Sequence, residues 1–73
     1  MKIFDSGQLR QARRNAKLTL RDASKSLFLS ASSIVAKENG IVRVFADELS
    51  TFAELYGVNV DYFFIEKKSS DIK

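Results

Sequence analysis

Residues Thr19 to Gly40 read TLRDASKSLFLSASSIVAKENG, a run in which two helix starts and two helix stops follow in quick succession. Thr19 can cap a helix whose third residue is Asp22, so that hydroxyl and carboxylate each take an otherwise orphaned backbone amide. A helix from Leu20 to Leu27 follows. After a Phe28-Leu29 turn, Ser30 offers a second N-cap and Ile34 an inward apolar anchor. Gly40 stands where a left-handed residue stops a helix, so a further helix is expected from Ala31 to Asn39. Two short helices joined by a tight turn make a helix-turn-helix.

Upstream, Asp5 or Ser6 can cap a first helix running to about Lys17. Leu9, Ala12 and Ala16 share one face, while Arg10, Arg14 and Lys17 lie on others and Arg13 falls on or near the apolar side. Downstream, Ala46 to Tyr56 carries Leu49, Phe52, Ala53 and Tyr56 at i, i+3, i+4 and i+7, the spacing of a core face. Gly57 ends that helix, and Asn59 can cap a fifth with Val60, Phe63 and Phe64. Met1 to Phe4 is an apolar lead-in that either frays or packs against the last helix. The expected fold is therefore all-α, a compact five-helix domain over residues 1–66 with negligible strand content. Its core should include Leu9, Ala12, Leu18, Ala23, Leu27, Ile34, Leu49, Phe52, Ala53, Val58 and Phe63. Residues 67–73 read as a polar tail expected to be disordered.

A chain of 73 residues makes one small domain, which buries only about 60% of its unfolded surface and so needs a well-packed core. There is no Cys and no His, which excludes disulfides, thiolate or imidazole metal sites and Ser/His or Cys/His nucleophile pairs. No apolar run approaches the roughly 20 residues that span a bilayer, and MKIFDSGQLRQ lacks the apolar core of a signal peptide. A soluble, cytoplasmic protein is expected. Asp47, Glu48 and Glu54 read as a solvated face, and the neighbours Asp47 and Glu48 do not point together as a catalytic dyad would. With no phosphate-cradling glycine loop either, an enzyme, a cofactor and a small-molecule ligand are not expected. The net charge of +3 is unevenly spread. Six bases face one acid, Asp22, between Gln8 and Lys25, whereas five acids and no base lie between Val44 and Glu66. The basic half suits a polyanion.

The pattern Leu9-x3-Arg13, Leu18-Thr19-x3-Ala23-x3-Leu27-x-Leu29-Ser30-x3-Ile34-x3-Glu38-Asn39-Gly40, then Ala53-x3-Gly57-Val58-x2-Asp61 resembles the Cro/C1-type helix-turn-helix family of phage and bacterial repressors. The resemblance covers about residues 8 to 64. It implies a lambda-repressor-like DNA-binding domain whose third helix enters the major groove of double-stranded DNA, and a homodimer or heterodimer formed through the C-terminal helix. It also implies that Arg13 reaches the carboxylate of Glu38, an ion pair that fixes geometry more than it adds net stability. The family's base-reading places fall on Ala31, Ser32, Val35 and Ala36, and a place often held by Gln falls on Leu20. The DNA-binding set so implied is Thr19, Arg21, Lys25, Ser30, Ala31, Ser32, Ser33, Val35, Asn39 and Arg43, with the amide ends of the second and third helices holding phosphates.

The chain departs from that pattern in three places. Phe28 occupies a turn position usually held by a glycine or another small residue. If its φ is positive, either the turn is remodelled or the ring gains compensating burial. None of the base-reading residues can make a bidentate contact to guanine or adenine. Finally, Ile41-Val42-Arg43-Val44-Phe45 is mostly apolar where the family's loop is polar and basic. Val44 and Phe45 can fold back onto the core, but not every apolar residue there can point inward, and an exposed remainder marks a partner surface. Two functions compete on these residues. One is a Cro/C1-type transcriptional regulator with weak intrinsic readout. The other is an antirepressor that docks on a partner repressor protein through Leu20, Ala31, Val35, Ile41, Val42 and Val44.

Overall fold

The structure, a computed structural model, describes residues 1–66. The polar tail assigned to 67–73 lies outside the described residues. Four helices occur, α1 (Gly7–Asn15), α2 (Leu20–Leu27), α3 (Ala31–Glu38) and α4 (Ala46–Tyr56), then a 3₁₀ turn over Val60–Phe63. Two short strands bracket them, β1 (Lys2–Phe4) and β2 (Phe64–Glu66).

The expected fifth helix and the expected lack of strand are thus both corrected. Only a single 3₁₀ turn separates Asn59 from Phe64, and the Phe64-Ile65 pair prefers a pleated backbone to a helical one. The apolar lead-in supplies the partner. β1 and β2 run antiparallel with Lys2 opposite Glu66, Ile3 opposite Ile65 and Phe4 opposite Phe64, so each cross-strand pair is chemically matched. The Phe4 and Phe64 rings meet edge to face at 5.9 Å. Asp5 N–H donates to the Phe63 carbonyl at 2.8 Å, and Gln8 Nε2 donates to the Tyr62 carbonyl at 3.1 Å, which pins the start of α1 to the end of the chain.

All four helices stop in the same way. Each is followed by a residue with positive φ, Lys17 at 63°, Phe28 at 58°, Gly40 at 75° and Gly57 at 73°. The next amide then reaches back over five residues: Leu18 to Arg13 at 3.1 Å, Leu29 to Ser24 at 3.3 Å, Ile41 to Ala36 at 2.9 Å and Val58 to Ala53 at 3.0 Å. This satisfies carbonyls that the helix leaves unpaired. It also explains why α1 ends at Asn15 rather than near Lys17.

The core is Leu9, Ala12, Ala23, Ile34, Leu49, Phe52, Ala53, Tyr56 and Phe63, drawn from every helix and the 3₁₀ turn. Leu18, Leu27 and Val58 are partly buried against it. Among the described residues, no helix is long and apolar enough to cross a membrane.

Candidate nucleic-acid interface

Helix α2 begins with a reciprocal cap. The Asp22 amide donates to Thr19 Oγ1 at 3.1 Å and the Thr19 amide donates to Asp22 Oδ2 at 3.0 Å. The Thr19 backbone bond, then its side chain, hold the Asp22 carboxyl below the usual carboxylate range, with smaller help from Lys25 and Arg21. The amide end of α2 therefore already carries an anion of its own, and a phosphate there would meet Asp22. Helix α3 starts differently. Ser30 Oγ accepts from the Ser33 amide at 3.1 Å and lies 3.3 Å from Ser32 Oγ, and no acid stands in the first turn. Of the two helix starts expected to hold phosphates, α3 is the open one.

The orientation of α3 is fixed at its other end by two ion pairs. Arg13 Nε donates to Glu38 Oε2 at 2.7 Å and Nη2 to Oε1 at 3.2 Å, while Nη1 reaches the Leu18 carbonyl at 3.1 Å. Glu38 is 4% exposed, so this fork is its main solvation. The hydrogen bond to Glu38 raises the Arg13 pKa further, with burial opposing. Arg10 adds a donor to Asn39 Oδ1 at 2.9 Å and lies 3.8 Å from Glu38. The second pair was not legible in the sequence. Lys37, nearly buried, places Nζ 3.3 Å from Glu48 Oε2, while Glu48 Oε1 accepts from the Phe45 amide at 3.0 Å. Glu48 is therefore not part of a solvated face, as expected above, but a tie between α3 and the start of α4. The spacing Lys37 to Glu48 carries no local signature, because it crosses a loop.

The outward residues sort as follows. Thr19, Arg21, Lys25, Ser30, Ala31, Ser32, Asn39 and Arg43 are exposed, whereas Ser33, Val35 and Ala36 are half-buried. The Asn39 carbonyl is already engaged by Arg10, leaving its NH₂ as the free donor. Leu20 and Val44 pack against the core, so of the residues assigned to partner docking it is Ala31, Ile41 and Val42 that face solvent. Phe45 does not fold back with Val44 but stays 59% exposed. Phe28 meets neither condition set for it. Its backbone is left-handed at φ 58° and ψ 37°, and its ring is 93% exposed. The turn keeps its helix-stop geometry because Ser24 Oγ donates to the Leu29 carbonyl and its backbone carbonyl accepts from Leu29.

A family model described as a helix-turn-helix domain matches residues 6–61, which takes in α1 to α4 and the start of the 3₁₀ turn. No curated protein and no solved structure matches the chain.

Proposed function

The chain belongs to the helix-turn-helix domain family, and on that premise we propose that it is a Cro/C1-type transcriptional regulator that grips DNA mainly through phosphates and reads bases weakly. The observation that carries the second half is the outward surface of α3. Its exposed first turn offers Ala31 and Ser32, and Val35 and Ala36 behind them are half-buried. Each good bidentate contact is worth about 1–3 kcal/mol of discrimination, and no side chain in this set can make one. Ser32 has a hydroxyl for a base edge or a phosphate, and Ala31 a methyl for thymine. Exposed Arg21, Lys25 and Arg43, with the open amide end of α3 around Ser30, supply the phosphate contacts. Thr19 and Asn39 add polar groups beside them.

The experiment is a set of duplex titrations at several salt concentrations. Affinity should fall steeply with salt and vary little with sequence, and Arg21→Ala or Arg43→Ala should weaken all duplexes alike while lowering the salt slope by about one. Discrimination between duplexes beyond about a hundredfold that survives high salt would overturn the weak-readout reading.

A second reading, an antirepressor that covers a partner repressor, is favoured by one observation: Ile41 and Val42 are 76% and 45% exposed where phosphate-binding polar groups belong. It requires Val42→Asp to release the partner repressor. If that variant instead loses DNA affinity alone, the DNA reading stands.

A further inference from the structure

We propose that the groove between the β1–β2 ribbon and the loop after α3 binds a small organic carboxylate with an apolar body, such as a monocyclic aromatic acid, and that this ligand competes with DNA phosphate for Arg43. The site rests on the groove itself, and only its regulatory effect rests on the DNA-regulator reading.

The first observation is the groove's size and lining. It has a volume of about 540 Å³, within the ~300–1,000 Å³ typical of small-ligand sites. Phe4 and Phe64, whose rings meet across the ribbon, line it together with Val44 and buried Leu49, which gives an apolar body a place to leave water. These residues come from both strands, the loop and α4, so no local stretch of sequence announces the site. That is why a small-molecule ligand was not expected from composition and motifs alone.

The second observation concerns the polar groups on that lining. Ser6 stands at the N-cap of α1 but does not cap it: its backbone is helical at φ −60° and ψ −28°, and its hydroxyl bonds no helix amide. The hydroxyl instead borders the groove beside Gly40, where a Cβ would lie 3.0 Å from it. A serine that leaves its cap undone keeps a donor for another partner. Among the described residues that line the groove, Arg43 alone is charged. It is exposed and enters no ion pair among the described residues. The acid beside Ser6, Asp5, turns Oδ1 to the Gly7 amide at 3.0 Å and does not line the groove. A guanidinium takes a carboxylate through two parallel bonds. An ammonium there would be repelled, and a neutral amide would leave the charge unmatched.

Arg43 is also the loop's phosphate contact in the regulator reading, and its fork cannot hold both anions at once. Each ligand therefore weakens the other by the same factor, and the ceiling on that factor is the value of one phosphate contact. The groove is open and the ligand small, so a dissociation constant of about 0.1–1 mM is expected. Binding at that strength follows the intracellular level of an abundant acid, releasing DNA only as the acid accumulates.

The test is an NMR titration of the full chain with phenylpropionate to about 10 mM, beside phenylpropionamide, phenylpropylamine and acetate. Saturable shifts centred on the Phe4, Ser6, Val44 and Phe64 amides are expected with phenylpropionate, at least about fivefold weaker binding with the amide, and none with the amine or acetate. Arg43→Gln, checked for folding by circular dichroism, should abolish the preference for carboxylate over amide, and Ser6→Ala should weaken both. No saturable shift at the groove, equal binding of the amine, or a preference that survives Arg43→Gln overturns the site. In duplex titrations at matched ionic strength, saturating phenylpropionate should weaken DNA binding by the factor that Arg43→Gln does and leave that variant's affinity unchanged. Groove binding without any effect on DNA overturns the competition. A chain that binds phenylpropionate but no duplex refutes the regulator reading alone, and one that binds duplex but no carboxylate refutes the site alone.

Discussion

Phe28→Gly should stabilise the protein. The residue sits in the left-handed region at φ 58°, where an L side chain costs about 1–2 kcal/mol because its Cβ crowds the following carbonyl oxygen. Glycine removes that cost but restores freedom to the unfolded chain, which takes back about 0.5–1 kcal/mol. The ring is 93% exposed, so its removal forfeits almost no burial. The expected net gain is about 0.5–1 kcal/mol, and on a domain of this size about 1 kcal/mol moves the melting temperature by roughly 4–8 °C. Phe28→Ala is the control: it deletes the ring but keeps the Cβ, so it should leave stability nearly unchanged. Thermal and urea melts of the three proteins decide the matter. If glycine lowers stability, or if alanine lowers it as well, the ring makes a folded-state contribution and the backbone argument is wrong.

Ile34→Ala should destabilise by about 2–5 kcal/mol, read from urea midpoints, because Ile34 is fully buried; a loss below about 1 kcal/mol would mean the site collapses without a cavity. Arg13→Ala should cost up to about 3–5 kcal/mol by removing the bidentate partner of the buried Glu38 carboxylate and leaving only half-exposed Arg10, 3.8 Å away, as its counter-charge, and a double Arg13→Ala, Glu38→Gln variant should recover part of that. Tyr56→Phe should be neutral or stabilising in equilibrium melts, since the buried Tyr56 hydroxyl has no hydrogen-bond partner and its desolvation is uncompensated. Burial first, then the Glu38 charge, push the Tyr56 pKa from 10.0 up to about 12. Its neutral form is therefore favoured by folding, and the associated stability is intact below about pH 10 and lost as pH rises through about 12. The Phe variant should lose that part of the alkaline dependence, measured as melting temperature against pH.

The helices were legible because their ends are written in local chemistry. Thr19 with Asp22, Ser30, Gly40 and Gly57 mark boundaries within a few residues of themselves, and α2 and α4 occupy the ranges those marks gave. The ribbon was not legible for the opposite reason. Lys2-Ile3-Phe4 and Phe64-Ile65-Glu66 are each too short to declare a strand, and their match in charge and shape emerges only when the two are set side by side. The Lys37–Glu48 tie is hidden in the same way, by a loop whose path residue spacing does not fix. In the outward surface, composition showed that α3 lacks bidentate readers, but not that Val35 and Ala36 are half-covered. Phe28 fits neither expected outcome, because both assumed that its backbone strain must be offset.

The pairing of β1 with β2 has a consequence for the order in which the chain assembles. β1 precedes all four helices, yet its partner lies beyond them at Phe64–Glu66, so its hydrogen bonds close the longest loop in the domain and bear the largest closure entropy. The helix-turn-helix, built from contacts close in sequence, can form while β1 is still unpaired. The ribbon is then a late latch over a finished helical unit. Under native conditions it should open alone, exchanging the Ile3 amide with solvent faster than the core amides of α4.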